Sequence, residues 1–260
     1  MKEILHFSHA NGFPAKSYRV LFDALGEHYD IRYIDRLAHD PGFPVTDNWP
    51  HLLEELTAYF ETHYDQPVIA VGHSLGGVLS YMLSRSRPDL VKKVLLLDAP
   101  VLDQYGSLVV RLAKRLGWMD YITPAGRTEG RRSFWESTDE AIEYFRHKSL
   151  FRNVDERCIR DYVAAGTQPV NEGVQLVFDP DTEVKIYRTL PHDLHRHPGK
   201  VTVPGAMMYG LRSNVVRGFQ LRHMKKNVGL KIVATQGGHL FPLEHPEQAA
   251  NNIHETLQAL

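Results

Sequence analysis

The segment "VIAVGHSLGGVLSY", residues 68–81, decides how the rest of the chain is read. Val68 to Val71 form a short unbroken apolar run of strand length. After the break, Leu75, Val78, Leu79, Met82 and Leu83 fall on one stripe at helical spacing, and Pro88 ends the helix. Ser74 therefore sits on the turn between a strand and a helix. Gly72 and Gly76 remove side-chain bulk on either side, so the backbone can bend sharply, hold a serine in a strained φ/ψ pair and push its Oγ outward. The helix that follows aims free N–H groups and the positive end of its dipole at the same place, which favours negative charge there. A small polar residue closing a tight turn would leave the same pattern without chemistry, so Ser74 needs partners before it is read as a nucleophile.

Outward from that turn the chain keeps a rhythm. Residues 4–9 (ILHFSH), 31–35 (IRYID), 68–72, 91–98 (VKKVLLLD), 203–210 (VPGAMMYG) and 230–236 (LKIVATQ) are continuous apolar runs rather than alternating ones. Such runs suit strands of a parallel sheet covered by helices on both faces. Crossover helices are expected over 15–25 and 49–63, where Tyr18, Leu21, Phe22 and Leu25, then Leu52, Leu53, Leu56 and Phe60, form apolar stripes. The rhythm fails after Val101, where helical patterns at 105–116, 138–148 and 155–164 replace buried strands. Pro100 leads in, and Pro191 and Pro198 lead out. The expected fold is an α/β, doubly wound, mainly parallel six-stranded sheet, with residues 1–100 and 200–260 as core and 101–199 as a helical cap.

Composition narrows the function. At 260 residues and 43% hydrophobic, a chain of this length buries roughly 70–75% of the surface its unfolded form exposes, enough for one core. Lys and Arg total 30 against 31 Asp and Glu, a formal charge of −1 with no basic block, which argues against nucleic acid as a partner. No apolar run approaches the ~18 residues of a membrane span, and "MKEILHFSHA" lacks the pattern of a signal peptide. Cys158 is the single cysteine. A cytoplasmic protein without membrane insertion is expected.

The five residues Gly72, His73, Ser74, Leu75 and Gly76 match Gly-x-Ser-x-Gly, and with their strand-turn-helix setting the chain resembles the α/β-hydrolase superfamily. A serine alcohol needs a base within hydrogen-bond reach and a third group to orient that base. Of fifteen histidines, His239 in "ATQGGHLFPLEHP" lies past the last expected strand, where the superfamily places its base. Most members carry the acid after the penultimate strand, but "YGLRSNVV" puts Ser213 and Asn214 there. Some small acyl esterases of the superfamily take it from the end of the strand after the nucleophile helix, which here is Asp98 in "VLLLDAP". The resemblance also implies an oxyanion hole formed by the N–H groups of Asn11, from "FSHANGFP", and Leu75, with Ala10 replacing the usual Gly. It implies a sheet trimmed at its start to about six strands.

The expected activity is cleavage of a small to medium hydrophobic ester or thioester through an acyl-enzyme on Ser74, with no metal or organic cofactor. Rivals on the same triad are carbon–carbon bond hydrolysis of a vinylogous diketone and cofactor-free lyase or perhydrolase chemistry. A ligand binder with a silent site is the non-enzymatic rival. His9, His73, Trp118, Trp135 and Leu240 are candidate substrate contacts, although His9 and His73 also read as supports, and the cap aromatics as internal packing. His192, His195 and His197 in "HDLHRHP" lack a recognisable zinc spacing and read as a polar hinge.

Overall fold

The computed structural model describes residues 2–196, 201–216 and 218–260. The chain begins with β1 (Glu3–Ser8), α1 (Arg19–Leu25), β2 (Tyr29–Arg32), α2 (Pro50–His63), β3 (Val68–His73), α3 (Leu75–Ser86) and β4 (Val91–Leu97). An insertion follows, with α4 (Gln104–Leu116), α5 (Met119–Ile122), α6 (Ala125–Thr128), β5 (Phe134–Trp135), α7 (Thr138–Arg146), α8 (Glu156–Gly166), β6 (Thr167–Val170), β7 (Gly173–Leu176) and α9 (Pro180–Arg188). The sheet then resumes with β8 (Gly205–Gly210), α10 (Gly218–His223), β9 (Lys231–Thr235), α11 (Phe241–Glu244) and α12 (Pro246–Gln258).

The main sheet has the order β2-β1-β3-β4-β8-β9, and every neighbouring pair is parallel. Its continuous apolar runs have a simple cause. Ile69, Val71, Leu95 and Leu97 enter one buried cluster with Leu21, Leu25, Ile253 and Leu257 from α1 and α12. Their alternates Ala70, Val94, Leu96 and Met207 enter a second with Leu52, Leu56, Val78 and Leu79 from α2 and α3. Both faces of the central strands are covered, so period-2 alternation disappears there, whereas edge strand β2 leaves Asp30 and Arg32 as a largely exposed ion pair.

Register brings the functional loops level. Ser8 lies opposite Gly72, His73 opposite Leu97, Leu97 opposite Met208, and Gly210 opposite Thr235. The carboxyl ends of five strands thus share one edge, and the segments holding Asn11, Ser74, Asp98, Ser213 and His239 leave from it.

The insertion departs from the expected all-helical make-up. Besides its helices it holds a three-stranded antiparallel sheet of order β5-β7-β6. These strands are two to four residues long, and "TQPVNEGVQL" is largely polar and includes Pro169, so no apolar run marks them. The expected boundary at 199–200, with His197 and Pro198, lies outside the described residues. Aromatic packing joins insertion to core: the ring of Phe13 lies 4.9 Å from that of Tyr162 and 5.8 Å from that of Phe151.

Candidate active site

Ser74 adopts φ 53° and ψ −112°, a conformation costing a residue with a side chain about 1–3 kcal/mol. The corner is held by two backbone bonds: Ser74 N–H donates to Leu97 O at 2.9 Å and Gly76 N–H to His9 O at 3.1 Å. The glycines are required by close approach. A Cβ on Gly76 would lie 2.1 Å from Ser8 O, and one on Gly72 would lie 2.2 Å from Gly76 O, both against backbone that cannot move aside. Gly76→Ala is therefore expected to cost about 3 kcal/mol and to lower the melting temperature by roughly 6–12 °C. A thermal melt checks this, and an unchanged transition would contradict the close-packed corner.

Three side chains from separate loops meet at this edge. The Ser74 hydroxyl lies 3.2 Å from His239 Nε2, and His239 Nδ1–H donates to Asp98 Oδ2 at 2.8 Å. Proton positions are assigned from this network. Asp98 is fully buried, adopts φ 46°, and is fixed by its own N–H donating to Met208 O at 2.8 Å. Two non-glycine residues in the left-handed region, Ser74 and Asp98, thus face one imidazole. Ser213, in the loop after β8, contributes a further contact, its Oγ–H donating to Asp98 Oδ2 at 2.5 Å.

His73 and His9 are placed as supports rather than as pocket walls. Both are fully buried. The Ala10 N–H donates to Tyr18 OH at 3.3 Å, Tyr18 O–H donates to His73 Nδ1 at 2.7 Å, and His73 Nε2–H donates to the backbone O of His239 at 2.8 Å. This line ties the loop after β1 to the histidine loop. His9 donates from Nδ1 to Ala10 O and accepts from Leu37 N–H at Nε2, each at 2.8 Å. Tyr18, invisible as a site residue in the sequence, connects elements far apart along the chain.

These rings must stay neutral. Burial, with smaller contributions from His63 and His9, lowers His6 to a pKa of about 3; burial lowers His9 to about 4, partly offset by its bond to Ala10. Burial and neighbouring His239 also hold His73 well below the usual histidine range. An unfolded chain takes up these protons near pH 6.5, so the stability is fully present above that pH and is lost as pH falls toward 4. Each ring contributes a slope of up to about 1.4 kcal/mol per pH unit in that window. Urea unfolding is thus expected to give a stability about 4 kcal/mol or more lower at about pH 5 than at about pH 7.5. Equal stability at the two pH values would show that the rings do not stay neutral.

Around the oxyanion candidates, the N–H groups of Ala10 and Gly76 are occupied by Tyr18 and His9. No acceptor among the described residues takes those of Asn11 and Leu75. Leu75 opens α3, where no intrahelical acceptor exists. Asn11 is buried and its Nδ2 donates to the backbone O of Glu183, on α9, at 3.0 Å. Gly12 follows at φ 76°, and a Cβ there would fall 2.7 Å from the Glu183 carboxylate. Glu183 is itself paired with Arg131 at 3.0 Å. Burial raises the Glu183 pKa, while Arg131 opposes the rise. The insertion therefore holds the loop carrying Asn11 through the Glu183 backbone carbonyl and through the close approach of the Glu183 carboxylate to Gly12, contacts that no local sequence signal marks.

The remaining candidates are scattered. Trp135 is fully buried against Tyr144 and Phe145, with ring centroids at 5.3 and 5.2 Å, and packs the insertion internally. Trp118 is largely exposed on the insertion's surface. Leu240 is buried beside His239, at the start of α11. His192 accepts from Lys114 at 3.0 Å, and His197 lies outside the described residues. Among the described residues, no group of three or more His, Cys, Asp or Glu converges as metal ligands, and no helix is long and apolar enough to cross a membrane.

A family model described as "Alpha/beta hydrolase family" matches residues 7–252. The curated protein "Lipase LipV" of Mycobacterium tuberculosis is 36% identical over 89 residues, 34% of this chain and 34% of the lipase, so the match spans about a third of that relative's length. Among solved structures, E-2-(acetamidomethylene)succinate hydrolase superposes with a TM-score of 0.80 at 20% identity, covering 99% of this chain and 91% of that one. The thioesterase domain of the curacin biosynthetic pathway gives 0.73 at 20% identity, covering 97% and 91%. An M. tuberculosis esterase gives 0.73 at 17%, covering 99% and 86%.

Proposed function

Because the chain belongs to the alpha/beta hydrolase family, we propose that it is a serine hydrolase cleaving a carboxylic ester or thioester of a small to medium hydrophobic acid. The observation that carries this reading is the hydrogen-bonded line Ser74–His239–Asp98 at the carboxyl edge of the sheet. In the proposed mechanism His239 takes the Ser74 proton as Oγ attacks the carbonyl carbon. The N–H groups of Asn11 and Leu75 receive the oxyanion, a contribution of about 3–4 kcal/mol per donor in comparable sites. His239 then protonates the leaving alcohol or thiol, and water, activated by the same imidazole, releases the acid from the acyl-enzyme. Asp98 holds the imidazole with Nδ1 protonated and stabilises the imidazolium.

The lipase, esterase and thioesterase among the similar proteins agree with an acyl substrate. A cytoplasmic setting fits Cys158, a single buried thiol whose pKa burial pushes up to about 12. Division into a core of residues 1–100 and 200–260 and a cap of 101–199 belongs to the same proposal.

The test is a hydrolysis panel of esters and thioesters of increasing acyl length, with vinylogous diketones alongside. Saturable turnover of the acyl compounds is the expected result. Turnover confined to the diketones would replace the reading with carbon–carbon bond hydrolysis, and no turnover at all would favour a silent binder.

A further inference from the structure

Of twelve large hydrophobic side chains left exposed among the described residues, eight lie within residues 105–122, on and beside α4 and α5. The helix α4 is turned against ordinary packing logic. It buries Ser107, Val110 and Ala113 while Leu108, Leu112 and Leu116 stand in solvent, Leu108 at 62% exposure. Those three leucines recur at i, i+4 and i+8, one continuous stripe extended by Trp118. A patch of this extent needs a partner.

Charge decides which partner. Between residues 104 and 128 the exposed charged side chains are Arg111, Arg115 and Arg127, and no carboxylate among the described residues forms an ion pair with any of them. The acid of this stretch, Asp120, is only partly exposed and held by Arg188. At the Tyr105 end the face opens into a cavity of about 550 Å³ whose lining includes Arg85, His195, Arg222, His223 and Lys226, with Asp103 as its one acid among the described residues. His195 Nδ1 is buried there without a hydrogen-bond partner. On a chain of formal charge −1, bare leucines thus lie beside Arg111 and Arg115, which no carboxylate among the described residues pairs. A second copy of the chain is a poor occupant: a two-fold axis through the middle of α4 would set Arg111 beside its own copy with no carboxylate between them. An anionic bilayer satisfies both halves of the pattern, apolar side chains below the headgroups and arginines among them.

We propose that the α4–α5 face is a peripheral docking surface for an anionic lipid bilayer, with Leu108, Leu112, Leu116 and Trp118 entering the interface and the cationic cavity receiving lipid phosphates. The surface lies in the plane of the membrane and does not span it. It would collect hydrophobic acyl substrates where they partition, yet its test uses no activity and stands apart from the hydrolase reading.

The experiment is co-sedimentation of the full chain with vesicles of phosphatidylcholine containing about one-third phosphatidylglycerol, set beside pure phosphatidylcholine. The protein carries its own reporter, because Trp118 is 54% exposed whereas Trp49 and Trp135 are buried. Binding to the anionic vesicles, weakened by high salt, with a blue shift of Trp118 emission is expected. Leu108→Glu with Leu112→Glu is expected to lower partitioning about 100-fold at an unchanged melting temperature. Lys226→Ala with Arg222→Ala is expected to lower it about tenfold or more on the anionic vesicles only. No capture by either vesicle, equal capture by both, or a dimer in sedimentation velocity that the leucine variant dissolves would each overturn the proposal. Stabilisation by inorganic phosphate without vesicle capture would overturn it too.

Discussion

Ser74→Ala is expected to lower kcat by about 10⁴–10⁶-fold, with the melting temperature close to that of the parent. The size follows from what a methyl group removes. The Oγ is the atom 3.2 Å from His239 Nε2, and without it the imidazole has no proton to take and the carbonyl no covalent partner. Residual catalysis would come from the N–H donors at Asn11 and Leu75 and from binding alone, which in comparable triads leaves about 10³–10⁴-fold over water. The fold has no need of the hydroxyl: the turn is held by the backbone bonds Ser74 N–H to Leu97 O and Gly76 N–H to His9 O. The positive φ at Ser74 suits alanine no worse. Single-turnover kinetics on the best ester of the panel reads the loss. A variant near full rate removes Ser74 from the chemistry.

Asp98→Asn is expected to cost about 10⁴-fold in kcat while Ser213→Ala costs no more than about tenfold. Asp98 Oδ2 accepts from His239 Nδ1 at 2.8 Å and from Ser213 Oγ at 2.5 Å. An amide that turns its NH₂ toward the imidazole demands an acceptor at Nδ1, so the proton moves to Nε2 and the ring loses the lone pair that Ser74 needs. Losing the serine leaves the carboxylate and the tautomer in place. The pair of variants therefore separates the buried acid after β4 from the residue in the loop after β8. Exchanged outcomes would show that the Asp98 assignment is wrong, because the loop after β8 would then be orienting the base.

The legible parts of this protein were those written in local pattern. The central strands β1, β3, β4 and β8 are continuous apolar runs because their two faces meet two different clusters, and all six expected runs fall within a few residues of the observed strands. Ser74 is marked by its own turn, whereas Asp98 and His239 are legible only through the family resemblance; each follows a strand at its carboxyl end, so strand order and register bring the three to one edge. What stayed hidden depends on partners far along the chain. Tyr18 to His73 spans 55 residues and Asn11 to Glu183 spans 172, and neither pairing leaves a periodic trace. The tryptophans show a second limit. Composition records that Trp118 and Trp135 lie in the insertion, but only packing decides that one is buried among aromatics and the other faces solvent. The short sheet β5-β7-β6 lacked any apolar run to announce it.

The central claim is that Ser74 becomes an acyl-accepting nucleophile through His239 and Asp98. Its most direct test is stoichiometric labelling with a fluorophosphonate, with the adduct located by peptide mass spectrometry and ester hydrolysis followed in parallel. The account predicts one phosphonyl group per chain, on the peptide containing Ser74, appearing in step with the loss of activity and absent from the Ser74→Ala variant. Hydrolysis continuing at full rate in protein fully labelled at Ser74, or inactivation with the label on another residue, would contradict it.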